Sequence, residues 1–332
     1  MTPMPVRMEA TGGRMRAMAL VLQAIILWLL TPSRALGLTF AAYHSQDEIR
    51  AFMERMATEN PQLVKFQNLG YSDGGRSIDF VSITMGDVEE IPAIYINGTH
   101  HGDEKSSTEA ALGLIEYLIK NKSEPLVRDL LSSYNLYIQP LVNPDGHASN
   151  NRFDANGVDP NRDYAFPGRT DDDAFKSIVI RLVRGLLWRV KFRAALALHS
   201  GMEGVLWAWA HSAEPPPDED KFYTIAKLVA RAMSLDQYRQ SFSDYPSQGE
   251  FIDYAYMSHG TLAMTLEVSR SPSPPASELA GVVKKSVAGI MTFMLSVQDL
   301  DRGVLALSRN NSTSKGIIPW AKVQNQSRRS TH

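Results

Sequence analysis

Short apolar runs that end abruptly in polar or charged residues are the feature of this sequence that most constrains its fold. Residues 93–96 and 194–198 are wholly apolar, and the second run continues directly into His199. A third run, Leu262 to Leu266, ends at Glu267. Runs this short suit strands better than helices. Because strands that are apolar on both faces are typical of parallel sheets, the runs predict a buried, parallel sheet.

Segments with helical periodicity lie between these runs. Apolar residues recur every three or four positions in 108–120, 175–186 and 222–229, which is the spacing of one helix face. A capping box from Ser45 to Glu48 begins an earlier helix. Alternating strands and helices predict an α/β fold: a single domain with a mixed, largely parallel, twisted sheet and helices on both faces. Functional side chains in such sheets gather at the carboxyl ends of the strands.

The two ends of the chain differ in character from the middle. Residues 1–37 combine Arg7, Arg14 and Arg16 with the apolar stretch Ala17 to Leu30 and the small residues Ala35 and Gly37. This pattern is typical of a secretory signal peptide. We therefore expect a secreted protein without stable membrane insertion once the signal is cleaved; an uncleaved anchor is the alternative. Residues 299–332 form a polar tail that we expect to be disordered or to be the start of a truncated β-sandwich.

Composition narrows the kinds of chemistry that the remaining domain, residues 38–298, can perform. The chain has 332 residues and no cysteine, which excludes disulfides, thiolate metal sites and cysteine nucleophiles. Its net charge of −2 gives no basic surface of the kind that nucleic acid binding requires. We therefore expect no nucleic acid partner.

Two separated patches contain residues that suit one metal centre. His101 and Glu104 have the spacing His-x-x-Glu just after an apolar run, and His199 follows another run. Two imidazoles and one carboxylate are the protein ligands of a catalytic zinc site, which keeps one position open. The sequence therefore predicts a site for one Zn²⁺ ion. Spacing alone leaves His100 open as an alternative to His101, because residues four apart on a helix also share a face.

Glu267 is a second chemical signal, because it ends a buried strand. A carboxylate in an apolar environment is costly unless it is paired or functional. We therefore predict a catalytic role for Glu267.

The chain resembles the zinc metallocarboxypeptidases of the carboxypeptidase A/B type, with some features of their regulatory branch. The resemblance extends from about Tyr43 to Leu295. It is carried by five stretches that occur in the family's order: residues 97–104 (NGTHHGDE), 143–146 (NPDG), 157–162 (GVDPNR), 199–201 (HSG) and 249–254 (GEFIDY) followed by Leu266-Glu267-Val268.

The resemblance implies a role for each matching position. It makes His101, rather than His100, the zinc ligand together with Glu104 and His199. It makes Glu267 the acid–base residue that takes a proton from water and returns it to the leaving amine. Arg152 would stabilise the oxyanion, and Asp159 would orient a zinc histidine.

The resemblance also implies how a substrate is held. Asn161 and Arg162 would bind the free carboxylate of a peptide, which a guanidinium group suits well. Tyr245 would cap the bound substrate. The function implied is hydrolysis of the C-terminal peptide bond of peptides and proteins. The alternatives are a zinc amidohydrolase acting on acyl-amino acids or cell-wall peptides, and a catalytically silent binding protein on the same fold.

Some positions depart from the pancreatic pattern of the family. Asp103 replaces an arginine, Gly201 replaces a tyrosine, and the catalytic pattern begins so early that we expect no inhibitory pro-domain. By the same resemblance, Ile252 aligns with a position in the specificity pocket. The other pocket position falls near Ala210 or His211, neither of which is a carboxylate. We therefore expect apolar or aromatic C-terminal residues to be released, unless Glu203 or Asp244 reaches the pocket, because a basic side chain would otherwise be left unpaired.

Overall fold

A computed structural model of the protein describes residues 37–307. The predicted signal peptide up to residue 36 and the tail from residue 308 lie outside the described residues. The helices are α1 (Gln46–Glu59), α2 (Lys105–Lys120), α3 (Pro125–Ser133), α4 (Pro144–Ser149), α5 (Ile178–Arg189), α6 (Glu219–Met233), α7 (Phe251–His259) and α8 (Ala276–Asp301). The strands are β1 (Val64–Tyr71), β2 (Ser77–Ile83), β3 (Ala93–Gly98), β4 (Asn135–Gln139), β5 (Phe192–His199), β6 (Met202–Trp207), β7 (Tyr238–Gln240) and β8 (Leu262–Ser269).

All eight strands form one sheet in the order β1-β2-β4-β3-β5-β8-β6-β7. The four central strands, β4, β3, β5 and β8, are parallel to one another, whereas β1, β2 and β6 pair antiparallel with their inner neighbours. The predicted α/β fold with a mixed, largely parallel sheet is confirmed. The apolar runs of the sequence became the buried central strands because both of their faces are covered.

Each face of the sheet has its own hydrophobic core. Along β3, Ile94 and Ile96 contribute to one core, while Ala93 and Tyr95 contribute to the other, as the alternation of side chains along a strand requires. Helices α1, α2, α3, α6 and α8 supply residues to the first core, and α5 and α7 supply residues to the second. Helices therefore cover both faces, and catalytic side chains are left to the edge where the parallel strands end.

Helix α8 lies against the first core and ends at Asp301, three residues beyond the predicted domain boundary at 298. Among the residues that the structure describes, α8 alone has the length and apolar composition to cross a membrane. More than half of its most apolar stretch is buried inside the domain. Its apolar composition is accounted for by this packing.

The sheet brings the predicted site residues to one edge. Strand β5 pairs with β3 on one side and with β8 on the other. Gly98 at the end of β3 pairs with Leu198, and His199 at the end of β5 pairs with Glu267. The loop that carries His101 therefore begins beside His199 and Glu267.

Candidate metal centre and active site

The chain leaves β3 through a strained turn that is held by side-chain hydroxyl groups. Thr99 has a positive φ of 60°, a conformation that is unusual for a β-branched residue. Its Oγ1 is 2.7 Å from Ser107 Oγ and 2.6 Å from Thr108 Oγ1, both on the first turns of α2. These buried contacts compensate for the backbone strain and direct the next residues towards the end of β5.

His101, Glu104 and His199 meet at this edge, and their ligand atoms all lie within 4.8 Å of one another. His101 Nδ1 is 2.7 Å from Glu104 Oε1, and His199 Nδ1 is 2.8 Å from Glu104 Oε2. Glu104 immediately precedes α2, but its side chain does not cap the helix. Its carboxylate is therefore available to both imidazoles, and all three side chains are buried.

The donor set fits a zinc ion. His101 Nε2 lies 3.1 Å from Asp159 Oδ1 and donates to it, so the lone pair of Nδ1 faces the Glu104 carboxylate. Two acceptors at such a short separation need a cation between them, either a proton or a metal ion. Two imidazole nitrogens and one carboxylate are the ligands typical of catalytic zinc, and the Asp159 contact is the outer hydrogen bond that a zinc-bound histidine usually makes.

The electrostatics of Glu104 agree with a cation at this point. Burial by itself would raise the pKa of Glu104, but the charges of His199 and His101 outweigh burial and lower this pKa. The carboxylate is therefore charged at neutral pH and able to act as a metal ligand.

His100 does not join this cluster. Its Nε2 is 2.9 Å from the hydroxyl of Tyr164, and its ring stacks on that of His199 with centroids 5.6 Å apart. Burial, together with the neighbouring His199 and His101, holds the pKa of His100 well below its usual value. His100 is thus a neutral packing residue, and the alternative that the spacing left open is resolved in favour of His101.

Arg152 is anchored on one side and faces the metal cluster with the other. Its Nε donates to Asp159 Oδ2 at 2.8 Å, and its Nη1 lies 3.3 Å from His101 Nδ1 and 4.0 Å from Glu104 Oε1. A fixed guanidinium beside a metal centre can stabilise negative charge that develops on a bound carbonyl oxygen.

Glu267 faces the cluster from β8. The residue is half-buried because it lines a cleft, but its Oε2 atom is enclosed and has no hydrogen-bond partner among the described residues. Burial raises the pKa of this carboxyl well above its usual value, and Glu104, Glu250 and Asp244 raise it further. A carboxyl group with one unbonded oxygen and a raised pKa suits an acid–base residue that must both take up and release a proton.

Asn161 and Arg162 lie on a short 3₁₀ helix, Pro160–Arg162, and line the same cleft. Asn161 Oδ1 accepts a hydrogen bond of 2.9 Å from the backbone N–H of Phe251. Arg162 donates to the hydroxyl of Tyr245, whose ring lies 5.6 Å from the guanidinium carbon. Tyr245 is 54% exposed. It contacts the group that the sequence assigns to substrate binding, and solvent covers its other side.

These side chains line one cavity of about 240 Å³. The cavity contains the three predicted metal ligands, Glu267, Arg152, Asn161, Arg162 and Tyr245, together with Gly201, Met202, Leu206, Ser241, Asp244, Glu250 and Thr265. Eight of the nine predicted site residues are therefore brought together.

Ile252 is the predicted site residue that the structure does not place in the cavity. Its side chain is 1% exposed and belongs to the core beneath α7. Glu250, two positions earlier, lines the cavity instead. Sequence reasoning assigned Glu250 no role. The signal that could have found it is an acidic residue within residues 249–254, one of the stretches that carry the resemblance.

The second predicted pocket position, near Ala210 and His211 after β6, also lies outside the cavity, and Asp253 binds this segment. The Asp253 carboxylate accepts hydrogen bonds from the backbone N–H groups of Ala210 and His211, at 2.9 and 3.1 Å, and lies 2.6 Å from His211 Nδ1. Neither Ala210 nor His211 lines the cavity. Asp253 therefore holds this loop in place, outside the lining of the cavity.

Comparisons with known proteins agree with this site. A family model described as zinc carboxypeptidase matches residues 49–289. The chain is 28% identical over 271 residues to carboxypeptidase SOL1 of Arabidopsis thaliana, and the alignment covers 76% of this chain and 55% of that protein. The chain thus spans about half the length of this relative.

Two further similarities extend over most of the chain. It is 24% identical over 294 residues to carboxypeptidase A1 of Mus musculus, covering 77% of this chain and 70% of that protein. The crystal structure of carboxypeptidase A from Helicoverpa armigera superposes with a TM-score of 0.74 at 19% identity, covering 88% of this chain and 82% of that one. The superposition shows that this chain has the same fold as that carboxypeptidase A.

Proposed function

The chain belongs to the zinc carboxypeptidase family, and from this membership and the geometry of the site we propose that it is a zinc-dependent exopeptidase. Its reaction is hydrolysis of the C-terminal peptide bond of peptides and proteins. The observation that carries the proposal is a single cavity that is lined by the metal-binding cluster, by Glu267 with an unbonded Oε2 atom, and by the anion-binding group Arg162.

His101, Glu104 and His199 would hold the zinc ion, which supplies polarisation of the scissile carbonyl and a water of lowered pKa. Asn161 and Arg162 bind the free carboxylate of the substrate, and Tyr245 lies over it. These contacts position the last peptide bond at the metal cluster and require a free C-terminus, so the enzyme acts as an exopeptidase.

The proton and the developing charge are handled by two further residues. Glu267 accepts a proton from the attacking water and returns it to the leaving amine. Arg152, fixed by Asp159, stabilises the negative charge on the carbonyl oxygen. Because this arrangement is fixed before substrate binds, the site needs little reorganisation during the reaction.

The activity is tested with a panel of blocked dipeptides that differ in the C-terminal residue, assayed with and without a chelator. Release of the C-terminal amino acid, lost on chelation and restored by Zn²⁺, is the expected result. Turnover only of acyl-amino acids, or of peptides that contain D-amino acids, would instead indicate a zinc amidohydrolase. Bound zinc without any turnover would indicate a silent binding protein.

We expect Glu267→Gln to keep the metal but to lower kcat by about 10²–10⁴-fold or more, because the proton acceptor is removed while the ligands remain. Metal content and single-turnover hydrolysis measure the two effects separately. The matched control is Glu203→Gln, which changes an acidic residue outside the cavity that is paired with Lys285 and Arg270. Substantial activity in the Glu267→Gln variant with full metal content would contradict this role.

We also propose that the protein is secreted. The support is the sequence of residues 1–37, with its arginines, apolar stretch and small residues. Expression of the full chain in a host with a secretory pathway should give a soluble product whose N-terminus lies close to residue 38. A product that keeps residues 1–37 and sediments with membranes would indicate an uncleaved anchor.

A further inference from the structure

We propose that Glu250 makes the active-site cavity selective for substrates whose C-terminal residue carries a cationic side chain, lysine or arginine. This inference rests on the proposed exopeptidase function, since it concerns the substrate class of the same cavity. It differs from the apolar or aromatic preference that the sequence favours.

Glu250 is a buried acid whose side chain lines the cavity and does not cap a helix. It immediately precedes α7 but makes no side-chain cap to the helix. The side chain is 9% exposed, and its Oε1 lies 3.5 Å from Arg162 Nη1 and accepts a hydrogen bond from the Ser247 hydroxyl. Glu250 thus stands next to the group that binds the substrate carboxylate.

Once substrate is bound, Glu250 has no cationic side chain among the described residues that pairs with it alone, whereas Asp244 and Glu104 each have partners elsewhere. Asp244 forms an ion pair with Arg239, and Glu104 faces the two histidines that complete the metal cluster. Glu250 shares Arg162, which must also bind the incoming carboxylate.

When the carboxylate of the substrate binds Arg162, it and the Glu250 carboxylate compete for one guanidinium group. A buried carboxylate that loses its partner is strongly destabilised, so a substrate that brings its own cation is favoured over one that does not. Burial raises the pKa of Glu250 and Arg162 opposes this; an arriving ammonium or guanidinium group stabilises the charged form in the same way as Arg162.

The cavity walls also suit a polar side chain. Beside Glu250, the lining includes Ser241, Thr265 and Asp244, and the apolar side chains there are those of Met202 and Leu206. Ile252, the residue expected to give an apolar pocket, is enclosed in the core instead. An aromatic side chain in this cavity would cover Glu250 without pairing it.

The test compares kcat/KM for blocked dipeptides ending in lysine, arginine, norleucine and phenylalanine, in the zinc-loaded enzyme and in Glu250→Gln. We expect the parent enzyme to prefer lysine to norleucine by about tenfold or more, and Glu250→Gln to reduce this ratio by about 10–100-fold, since one partner of a buried charge pair is removed. Norleucine matches the lysine stem without its charge. Its kcat/KM should therefore not fall in Glu250→Gln, because the carboxylate that competes with the substrate for Arg162 is removed.

The matched control is Asp244→Asn, which removes another acid from the same cavity. We expect it to keep the lysine preference because Asp244 is paired with Arg239. Collapse of the ratio in Asp244→Asn but not in Glu250→Gln would overturn the assignment to Glu250. Equal losses for all four substrates in Glu250→Gln would also overturn it, because Glu250 would then only position Arg162.

Thermal unfolding shows whether the Glu250→Gln variant is folded. If it is not, inhibition of the parent enzyme by free amino acids still tests the proposal. Free lysine and arginine should inhibit hydrolysis at concentrations about tenfold lower than norleucine, since each product occupies the same cavity. Stronger inhibition by norleucine, or a preference for phenylalanine substrates, would overturn the proposal while leaving the exopeptidase function intact. Absence of turnover with every substrate would instead contradict the exopeptidase function itself.

Discussion

Asp159 shows how one side chain can organise both the metal ligand and the oxyanion group. Its Oδ1 accepts from His101 Nε2 at 3.1 Å and from the backbone N–H of Asn161 at 3.0 Å, and its Oδ2 accepts from Arg152 at 2.8 Å. Burial would raise the pKa of Asp159, but His101 and Arg152 outweigh burial and lower it. Asp159 therefore remains charged and keeps the imidazole proton on Nε2.

We expect Asp159→Asn to weaken zinc binding by about 10–100-fold, the range typical for loss of the outer partner of a metal-bound histidine. Competition with a chelator measures this affinity. Asp154→Asn is the control, because Asp154 lies in the same loop and accepts from the backbone N–H groups of Asn156 and Val158 without contacting His101. Equal zinc affinity in the two variants would contradict the role of Asp159.

Two hydrogen bonds and one close approach hold together the segments that carry the substrate-binding groups. The N–H of Tyr164 donates to the carbonyl of Gly249 at 3.1 Å, and the N–H of Phe251 donates to Asn161 Oδ1 at 2.9 Å. Gly249 has a φ of 75°, and a Cβ atom there would lie 2.5 Å from the carbonyl oxygen of Arg162. The approach of these two segments therefore requires glycine.

Gly249→Ala should displace Arg162 and raise KM by about tenfold or more, because misplacement of about 1 Å is enough for such a loss. Gly260→Ala is the matched control, since Gly260 also has a positive φ, 67°, but no atom within 4 Å of the added Cβ. The control should lose about 1–2 kcal/mol of stability from the left-handed conformation alone and keep its KM. Steady-state kinetics and denaturant unfolding separate the two effects.

At the scale of the whole molecule, residues 38–44, which precede α1, make hydrogen bonds to parts of the domain that are distant in the sequence. The N–H of Leu38 donates to Glu116, and the hydroxyl of Tyr43 donates to the carbonyl of Pro274. His44 contacts both carboxylate oxygens of the fully buried Glu109 at 2.7 Å, one through its backbone N–H and one through Nδ1. These contacts tie the start of the domain to α2 and to the segment before α8.

The contact between His44 and Glu109 predicts a pH dependence of stability. The hydrogen bond to Glu109 raises the pKa of His44 above 6.5 in the folded state. The extra stability is therefore fully present below pH 6.5 and is lost as the pH rises through the raised pKa. Relative to the parent, His44→Gln should lose about 1–2 kcal/mol at pH 5.5, as for a hydrogen bond to a charged group, and less at pH 9.

His259→Gln is the control with the opposite sign. Burial lowers the pKa of His259, so His259 reduces stability as the pH falls through 6.5 and its replacement should reduce this acid sensitivity. Denaturant unfolding at both pH values measures each difference. A His44→Gln effect that does not change between pH 5.5 and pH 9 would contradict the linkage.

The sequence by itself determined the fold class and the chemical identity of the centre. Short apolar runs indicated buried parallel strands, and the spacing of His101 and Glu104, with His199 and Glu267 at the ends of other runs, indicated the metal site. These features depend on local properties, namely side-chain alternation, helix spacing and the position of a residue relative to a strand end. Such properties can be read from neighbouring residues in the chain.

Local spacing could not decide between residues that lie next to one another; the family resemblance favoured His101, and only the tertiary structure shows the physical reason. His100 and His101 have equally suitable spacing to Glu104, but packing against Tyr164 occupies one and leaves the other facing the cluster. In the same way, the contact of Phe251 with Asn161 places Glu250 in the cavity and Ile252 in the core. The direction in which each side chain points is set by contacts between segments far apart in the sequence, and local spacing carries no information about them.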